Sequence, residues 1–328
     1  MMLGTLNLGL IGAGRWGKMY LRTLASLADR CRLTHLCTSN PRNAEGLAAP
    51  VTVTADWRAL VRSDCDAVII ATPPATHPEI VEACLEAGKP CLVEKPLCLD
   101  LASAERLHRR VLASDVPVLV EHTQLFSPAY QALTEALAQA GERIHLIISE
   151  GVGLGPFRSH TTALWDWCPH DVSLVLDLAK ESPLRVDALG APSGPGVAPE
   201  QVSLRLEFAG GSCAWIHAGR LSPQRRRTLC VMTETRLYAL DELAADKLTV
   251  SPFAFPRRYE PGVPETLERR VLRPSSDHPP LANAVRYFLD GLSGGDRARF
   301  GTELALEVTR VLAACDGLLR ERKEMTIQ

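Results

Sequence analysis

Six residues constrain this chain more than any others: Gly12-Ala13-Gly14-Arg15-Trp16-Gly17, which match the spacing G-x-G-x-x-G. The motif alone is weak, and its setting gives it force. The apolar run Leu6–Ile11 reads as a strand before it, and Trp16, Met19, Tyr20, Leu24 and Leu27 recur at helical spacing after it. Strand, tight glycine turn and helix, in that order, open a doubly wound α/β sheet of the Rossmann type. Gly12 permits the turn, Gly14 lets a diphosphate approach the backbone, and Gly17 lets helix and strand pack closely. The helix N-terminus, with Ala13, Arg15 and Trp16 around it, offers amide donors and a positive dipole end to the pyrophosphate of a dinucleotide.

The alternation continues to about His122. Leu33–Cys37 reads as a second strand and Val51–Val53 as a short third. Asp66–Ala71 carries the unbroken apolar run of a strand buried on both faces. Thr76–Ala87 reads as a helix, with Thr76 as N-cap and Glu79 at the capping-box position. Cys91–Val93, a helix over Ala102–Ala113 and a strand over Val116–Val120 complete a parallel set. After about Ser127 the rhythm changes. A helix near Ala129–Ala140, a strand at Ile144–Glu150 and a helix at about Leu164–Ala179 precede strands with no helices between them: Leu184–Leu189, Val202–Phe208, Cys213–Ala218, Thr228–Thr233 and Arg236–Leu240. Ala209-Gly210-Gly211-Ser212 reads as a hairpin turn. Residues 251–276 read as a long loop, and two closing helices are expected at Pro280–Leu292 and Thr302–Arg320. The expected architecture is an α/β Rossmann domain over residues 1–122 and an α+β domain with a large, mostly antiparallel sheet over 123–328.

Composition narrows the partners. A formal net charge of −2 leaves no broad basic face for nucleic acid. The densest basic spot, Arg225-Arg226-Arg227, reads as a solvated strand end. Ten cysteines form no C-x-x-C pair and are spread through predicted strands and helices, so free thiols in a reducing cytosol are expected rather than disulfides or zinc. No metal-ligand cluster can be assembled. The N-terminus lacks the basic flank of a signal peptide, and no apolar run reaches the length of a membrane span.

Candidate site residues gather where predicted strands end, because ligands of open α/β sheets bind at the carboxyl ends of the strands. After the second strand stand Thr38, Ser39 and Asn40, with Arg42 nearby. No carboxylate there would repel a 2′-phosphate and an arginine is close, so the reading leans from NAD to NADP. Thr72, Pro73, Pro74 and His77 follow the fourth strand, and Glu94 and Lys95 follow the fifth. A lysine there can hydrogen-bond a hydroxyl and relay a proton; the plain alternative is a strand-end lysine paired to Glu94. Asp166 and His170 are four apart on a predicted helix and so share a face. Pro169 between them suits only a first turn or a distortion.

These motifs carry a family resemblance. The strand–GAGRWG–helix start, the stretch ATPPATHPEIVEACLEAGKPCLVEKPLC and the segment WDWCPHDVSLVLDL together resemble the Gfo/Idh/MocA oxidoreductases (glucose–fructose oxidoreductase, inositol dehydrogenase and relatives) over essentially the whole chain. The passages GPFRSHTTALWDW and PQRRRTLCVMTETRLYALD resemble UDP-N-acetylglucosamine 3-dehydrogenases within that family. The resemblance implies hydride transfer between a nicotinamide and a secondary alcohol or ketone of a sugar, polyol or sugar nucleotide. It implies that Lys95 sits beside the reacting hydroxyl, before a Lys–Pro bond that is often cis. His170 would accept the proton and Asp166 would orient it; both would reach the same carbon from the second domain. His122, Thr123 and Arg158 would line the substrate. Thr123 and Leu125 stand where many relatives carry Asn and Arg, His160 where an acid is common, and Cys168 where glycine is common. These departures bear on the substrate more than on the chemistry. The competing expectation is a non-catalytic dinucleotide-binding regulator, for which Lys95, Asp166 and His170 would have no use. Trp215 is expected on an outer sheet face that makes a homo-dimer or homo-tetramer contact.

Overall fold

In the computed structural model, which describes residues 5–47, 50–158, 161–191, 197–253 and 268–321, the motif strand lies at the heart of a six-stranded parallel sheet. The chain runs β1 (Leu6–Ile11), α1 (Arg15–Ala25), β2 (Cys31–Cys37), β3 (Thr52–Thr54), α2 (Trp57–Val61), β4 (Ala67–Ile70), α3 (His77–Glu86), β5 (Cys91–Glu94), α4 (Leu101–Leu112) and β6 (Val118–Glu121). The strand order β3-β2-β1-β4-β5-β6 reverses direction between β1 and β4. That reversal opens a crevice at the carboxyl ends of the two strands. Every residue of β4, β5 and β6 is buried, which is why these strands read as unbroken apolar runs closed by a glutamate in two cases.

The chain continues with α5 (Pro128–Ala140), β7 (Ile144–Leu154), α6 (Ala163–Asp166), α7 (Cys168–Ala179), β8 (Arg185–Gly190), β9 (Gln201–Glu207), β10 (Cys213–Gly219), β11 (Leu221–Thr233), β12 (Arg236–Asp241), β13 (Leu248–Pro252), β14 (Arg270–Val271), α8 (Pro280–Leu292) and α9 (Glu303–Glu321). β7 to β14 form a second sheet in the order β14-β13-β12-β11-β7-β10-β9-β8. All neighbours are antiparallel except β7 and β10. Alternate residues such as Val202, Leu204 and Leu206, then Ala214, Ile216 and Ala218, are buried, while Trp215 on the opposite face is 48% exposed. The β9–β10 hairpin closes on Gly211 at φ +82°, with the Phe208 amide donating to Ser212 O at 3.0 Å.

Four features differ from the sequence reading. The helix expected over Leu164–Ala179 is broken at Trp167 into α6 and α7, and Pro169 falls in the first turn of α7, where its missing N–H costs no helical bond. β11 is 13 residues long and takes in Arg225, Arg226 and Arg227, while β13 and β14 lie partly or wholly in the segment read as loop. The Thr76 capping box does not form. Thr76 has helical backbone angles after a 3-10 turn, its hydroxyl donates to Thr72 Oγ1 (2.7 Å) or Pro73 O (2.8 Å), and Glu79 pairs with Arg58 instead.

The fourth difference is the domain boundary. The chain divides into a unit of Met1–Thr123 with His278–Thr309 and a unit of Gln124–Asp277 with Arg310–Gln328. α8 and the start of α9 therefore belong with the first sheet. The Gly301 amide donates to Val118 O at 2.8 Å, Thr302 Oγ1 lies 2.8 Å from His108 Nδ1, Asp290 pairs with Arg30, and Ala305 and Leu306 join the first unit's core. Nothing local in the sequence marks such a return of the chain.

Candidate active site

The glycine motif builds a cradle. Gly12 has φ +97°, and a Cβ on it would lie 2.6 Å from Ala71 O at the end of β4. A Cβ on Gly17 would lie 2.0 Å from Gly12 O, so only glycine lets α1 start so close to β1. Gly14 is different, since a Cβ there would meet nothing within 4 Å. The space in front of Gly14 is open, and the first turn of α1 carries neither a side-chain cap nor an acidic residue. A diphosphate fits such a site: it needs backbone N–H groups pointing into free space and a positive helix end. Ala13 is buried behind the turn, while Arg15 is exposed and Trp16 half-buried beside it.

Beyond β2 the Thr38 hydroxyl is buried in a local network. It lies 3.3 Å from Asn40 O and accepts from Asn40 N (3.2 Å) and Asn43 Nδ2 (3.1 Å). Asn40 Oδ1 caps the turn Pro41–Ala44 by accepting from Arg42 N at 3.1 Å. Ser39 and Arg42 are left exposed at this strand end.

Beyond β4, Thr72 and Pro74 are half-buried and Pro73 is exposed. His77 is fully buried, with Nδ1 2.9 Å from Pro96 O and Nε2 2.9 Å from Thr72 O. Burial lowers its pKa, the two carbonyls oppose that shift, and the Lys95 charge adds to it. The ring thus ties the loop after β4 to the loop after β5. It is committed to protein carbonyls rather than turned toward a ligand, unlike the contact expected from the sequence.

At the end of β5, Glu94 and Lys95 are both buried, and the Lys95–Pro96 peptide is cis. Glu94 Oε1 accepts from the Tyr20 hydroxyl at 3.0 Å. Burial pushes the Glu94 carboxyl up to about 7, against the opposing pull of Lys95 and of the Tyr20 hydrogen bond. Beyond β6, His122 and Thr123 are buried, and the Thr123 hydroxyl donates to Glu121. Thr123, assigned to substrate from the sequence, is thus engaged inside the first unit.

The second unit holds Arg158, Asp166 and His170. Asp166 closes α6 and His170 lies in the first turn of α7, so the two belong to separate helices rather than one helical face. Arg158 Nε lies 2.8 Å from Asp166 Oδ2, which gives the arginine a carboxylate partner. His170 is 9% exposed. The very next residue is one not singled out from the sequence. Asp171 is 1% exposed, accepts from Ser149 Oγ at 2.6 Å, and pairs with Arg227 Nη1 at 3.3 Å. The Arg227 guanidinium lies 5.7 Å from the Trp167 ring centroid. Arg226 pairs with Glu150 at 3.4 Å, so two of the three arginines read as a solvated strand end are engaged within the sheet. Burial raises the Asp171 pKa despite Arg227, so removal from water outweighs the attraction between the pair. A Cβ on Gly151, the β7 partner of Arg227, would sit 2.5 Å from both charged groups, which explains the glycine. The signal for Asp171 was the acid after His170; for Arg227 it was strand alternation extended through the arginines. His160, noted above for its departure, lies outside the described residues.

Comparison with known proteins decides the family. Residues 6–122 match the model of the Gfo/Idh/MocA group, described as an oxidoreductase family with an NAD-binding Rossmann fold. A myo-inositol dehydrogenase of Streptomyces leeuwenhoekii is 33% identical over 235 residues, which span 66% of this chain and 71% of that one. The chain belongs to the Gfo/Idh/MocA oxidoreductase family. A UDP-N-acetylglucosamine 3-dehydrogenase of Acidithiobacillus ferrooxidans is 27% identical over 240 residues, 72% of this chain and 74% of that one. A crystal structure from Magnetospirillum magnetotacticum, described only as an oxidoreductase, superposes with a TM-score of 0.84 at 40% identity, covering 95% of this chain and 100% of the other. Levoglucosan dehydrogenase in complex with NADH shares the fold, with a TM-score of 0.82 at 19% identity over 97% of this chain and 98% of the other. As a Gfo/Idh/MocA protein the chain is a nicotinamide-dependent oxidoreductase, and its first unit is the dinucleotide-binding Rossmann domain.

Proposed function

We propose that this Gfo/Idh/MocA oxidoreductase acts on a secondary alcohol, or the matching ketone, of a sugar, polyol or sugar nucleotide. The named activities of the inositol and UDP-N-acetylglucosamine relatives support that substrate class. The observation that carries the reading is Lys95: a lysine 7% exposed at the carboxyl end of β5, in the same parallel sheet whose β1 carries the glycine turn, with β4 between them. Bound nicotinamide supplies the hydride acceptor or donor. Lys95 of the first unit is assigned the hydrogen bond to the reacting oxygen; within the second unit His170 is assigned the role of proton acceptor during oxidation, and Asp166, paired with Arg158, that of orienting it. A histidine suits the task because its ordinary pKa of about 6.5 lies near working pH. His170→Asn should lower kcat by about 10²–10⁴-fold while leaving dinucleotide affinity unchanged, and Asp166→Asn should act in the same direction with smaller size. If the pair only packs helices, both variants lose melting temperature and keep specific activity, which would end this assignment.

NADP is the favoured cofactor in this reading. The end of β2 offers Ser39, Asn40 and an exposed Arg42 and no carboxylate. NADPH should bind at least as tightly as NADH by tryptophan fluorescence; a tenfold preference for NADH, about 1.4 kcal/mol, would overturn this.

The same reading includes a homo-oligomer formed through the open face of the second sheet. Arg205, Trp215, Ile148 and Cys230 stand in register across four strands, Trp215 and Ile148 are exposed, and the Arg205 guanidinium lies 5.7 Å from the Trp215 ring centroid. No helix among the described residues is long and apolar enough to cross a membrane. The cysteines are free thiols, mostly buried, which supports a reducing, cytoplasmic setting.

A further inference from the structure

Two strands of the first unit end alike: β5 closes on Leu92-Val93-Glu94 and β6 on Leu119-Val120-Glu121. Their parallel pairing sets Glu94 directly beside Glu121. Residues paired this way face the same side of a sheet, with strands about 4.8 Å apart. Both carboxyls are inside, Glu94 at 4% and Glu121 at 0% exposure. α1 supplies Tyr20, whose hydroxyl donates to Glu94. The turn after β6 supplies Thr123, whose hydroxyl donates to Glu121 Oε2. Glu121 Oε1 is buried and meets no hydrogen-bond partner among the described residues.

Two adjacent carboxylates removed from water cannot both stay ionised, and such pairs keep a proton. The positive charge acting on both is that of Lys95. Tyr20 is not a competing acid: burial first, then the two glutamates, raises its pKa, so it remains a neutral donor. His77 of α3 is a further titratable group on which the Lys95 charge acts.

We propose that Glu94 and Glu121 hold one proton between them and act as a single monoanion, the counter-charge that keeps Lys95 a cation and fixes where its ammonium stands. The shared proton gives Glu121 Oε1 its role, as an acid O–H facing the Glu94 carboxylate. Glu121 is then a positioning residue that works through Glu94 and Lys95. The consequence for the reaction rests on the reading of Lys95 given above. A lysine held as a cation donates a hydrogen bond to the substrate oxygen and cannot take its proton. With bound nicotinamide supplying the hydride acceptor, the hydroxyl proton would have to leave to a base other than Lys95, the role assigned above to His170.

Infrared spectroscopy of the whole protein at about pH 8, without substrate, reads the proton directly. The carbonyl stretch of a protonated carboxylic acid is expected in the wild type and is lost in Glu121→Gln, where the remaining Glu94 ionises above about 7. Gln mimics the neutral acid in shape, so that variant keeps the fold. Absence of the band in the wild type, or its persistence in Glu121→Gln, overturns the proposal. In the double variant E94Q/E121Q the alkaline limb of the kcat profile should move to lower pH by about one unit, a tenfold change, because Lys95 has lost its counter-charge. A folded double variant with the wild-type limb overturns the link to Lys95. Failure of the Lys95 reading itself would show separately, as full turnover in Lys95→Met, while the infrared result still decides whether the pair shares a proton.

Discussion

At the scale of the residue, charge placed inside the first unit is the dominant theme. Glu94 holds its proton more tightly in the folded protein than a carboxyl does in water, titrating near 7 instead of 4.5 because it is buried. Between those two values the folded state binds more protons than the unfolded one, so stability falls as pH rises through that window and levels off above it. Melting temperatures of the wild type and Glu94→Gln, measured from about pH 5 to pH 8, should therefore diverge: the wild type declines with pH more steeply than the variant. Parallel curves would mean that Glu94 titrates as an ordinary exposed acid. His77 belongs to the same scale. Both ring nitrogens of His77 lie 2.9 Å from carbonyl oxygens, and the neutral ring that burial favours has one N–H, so it donates to one of the two carbonyls and leaves the other without that donor.

At the scale of the element, the turn between β1 and α1 separates structure from function more cleanly than any other segment. Gly12 and Gly17 are required by the fold, since added Cβ atoms would strike backbone. Gly14 is required only by what binds in front of it. Gly14→Ala should keep the wild-type melting temperature and lose at least about tenfold in NAD(P)H affinity, roughly 1.4 kcal/mol. A variant that binds the dinucleotide as the wild type does would place the phosphates elsewhere.

This turn, with the alternation of strands and helices around it, was legible in the sequence because its determinants are local: period, turn chemistry and position. So was the alternation of Val202, Leu204 and Leu206 that builds β9. The break at Trp167 was half legible, since Pro169 announced a first turn but not which residue ended the helix before it. Glu121 was invisible until pairing in register brought it beside Glu94, although the repeated Leu-Val-Glu ending of two strands is a signal in hindsight. The bond of the Thr123 hydroxyl to Glu121 was not legible, because it forms within a turn whose shape the residue types do not dictate. The return of His278–Thr309 to the first unit depends on contacts across nearly two hundred residues of chain, such as Gly301 with Val118, and no local pattern encodes it.

At the scale of the whole molecule, the chain is proposed to transfer hydride between a nicotinamide and a sugar-like secondary alcohol, and to do so with Lys95. The most direct measurement incubates the purified protein with NADP⁺ or NAD⁺ and a panel of polyols, sugars and sugar nucleotides, and follows the absorbance of reduced nicotinamide. Turnover is expected with at least one member of the panel, and Lys95→Met should lower it by about 10²–10⁴-fold while still binding the dinucleotide. A protein that binds NAD(P)H tightly and neither oxidises any alcohol in the panel nor reduces the matching ketones would contradict the claim, as would a Lys95→Met variant that turns over at the wild-type rate.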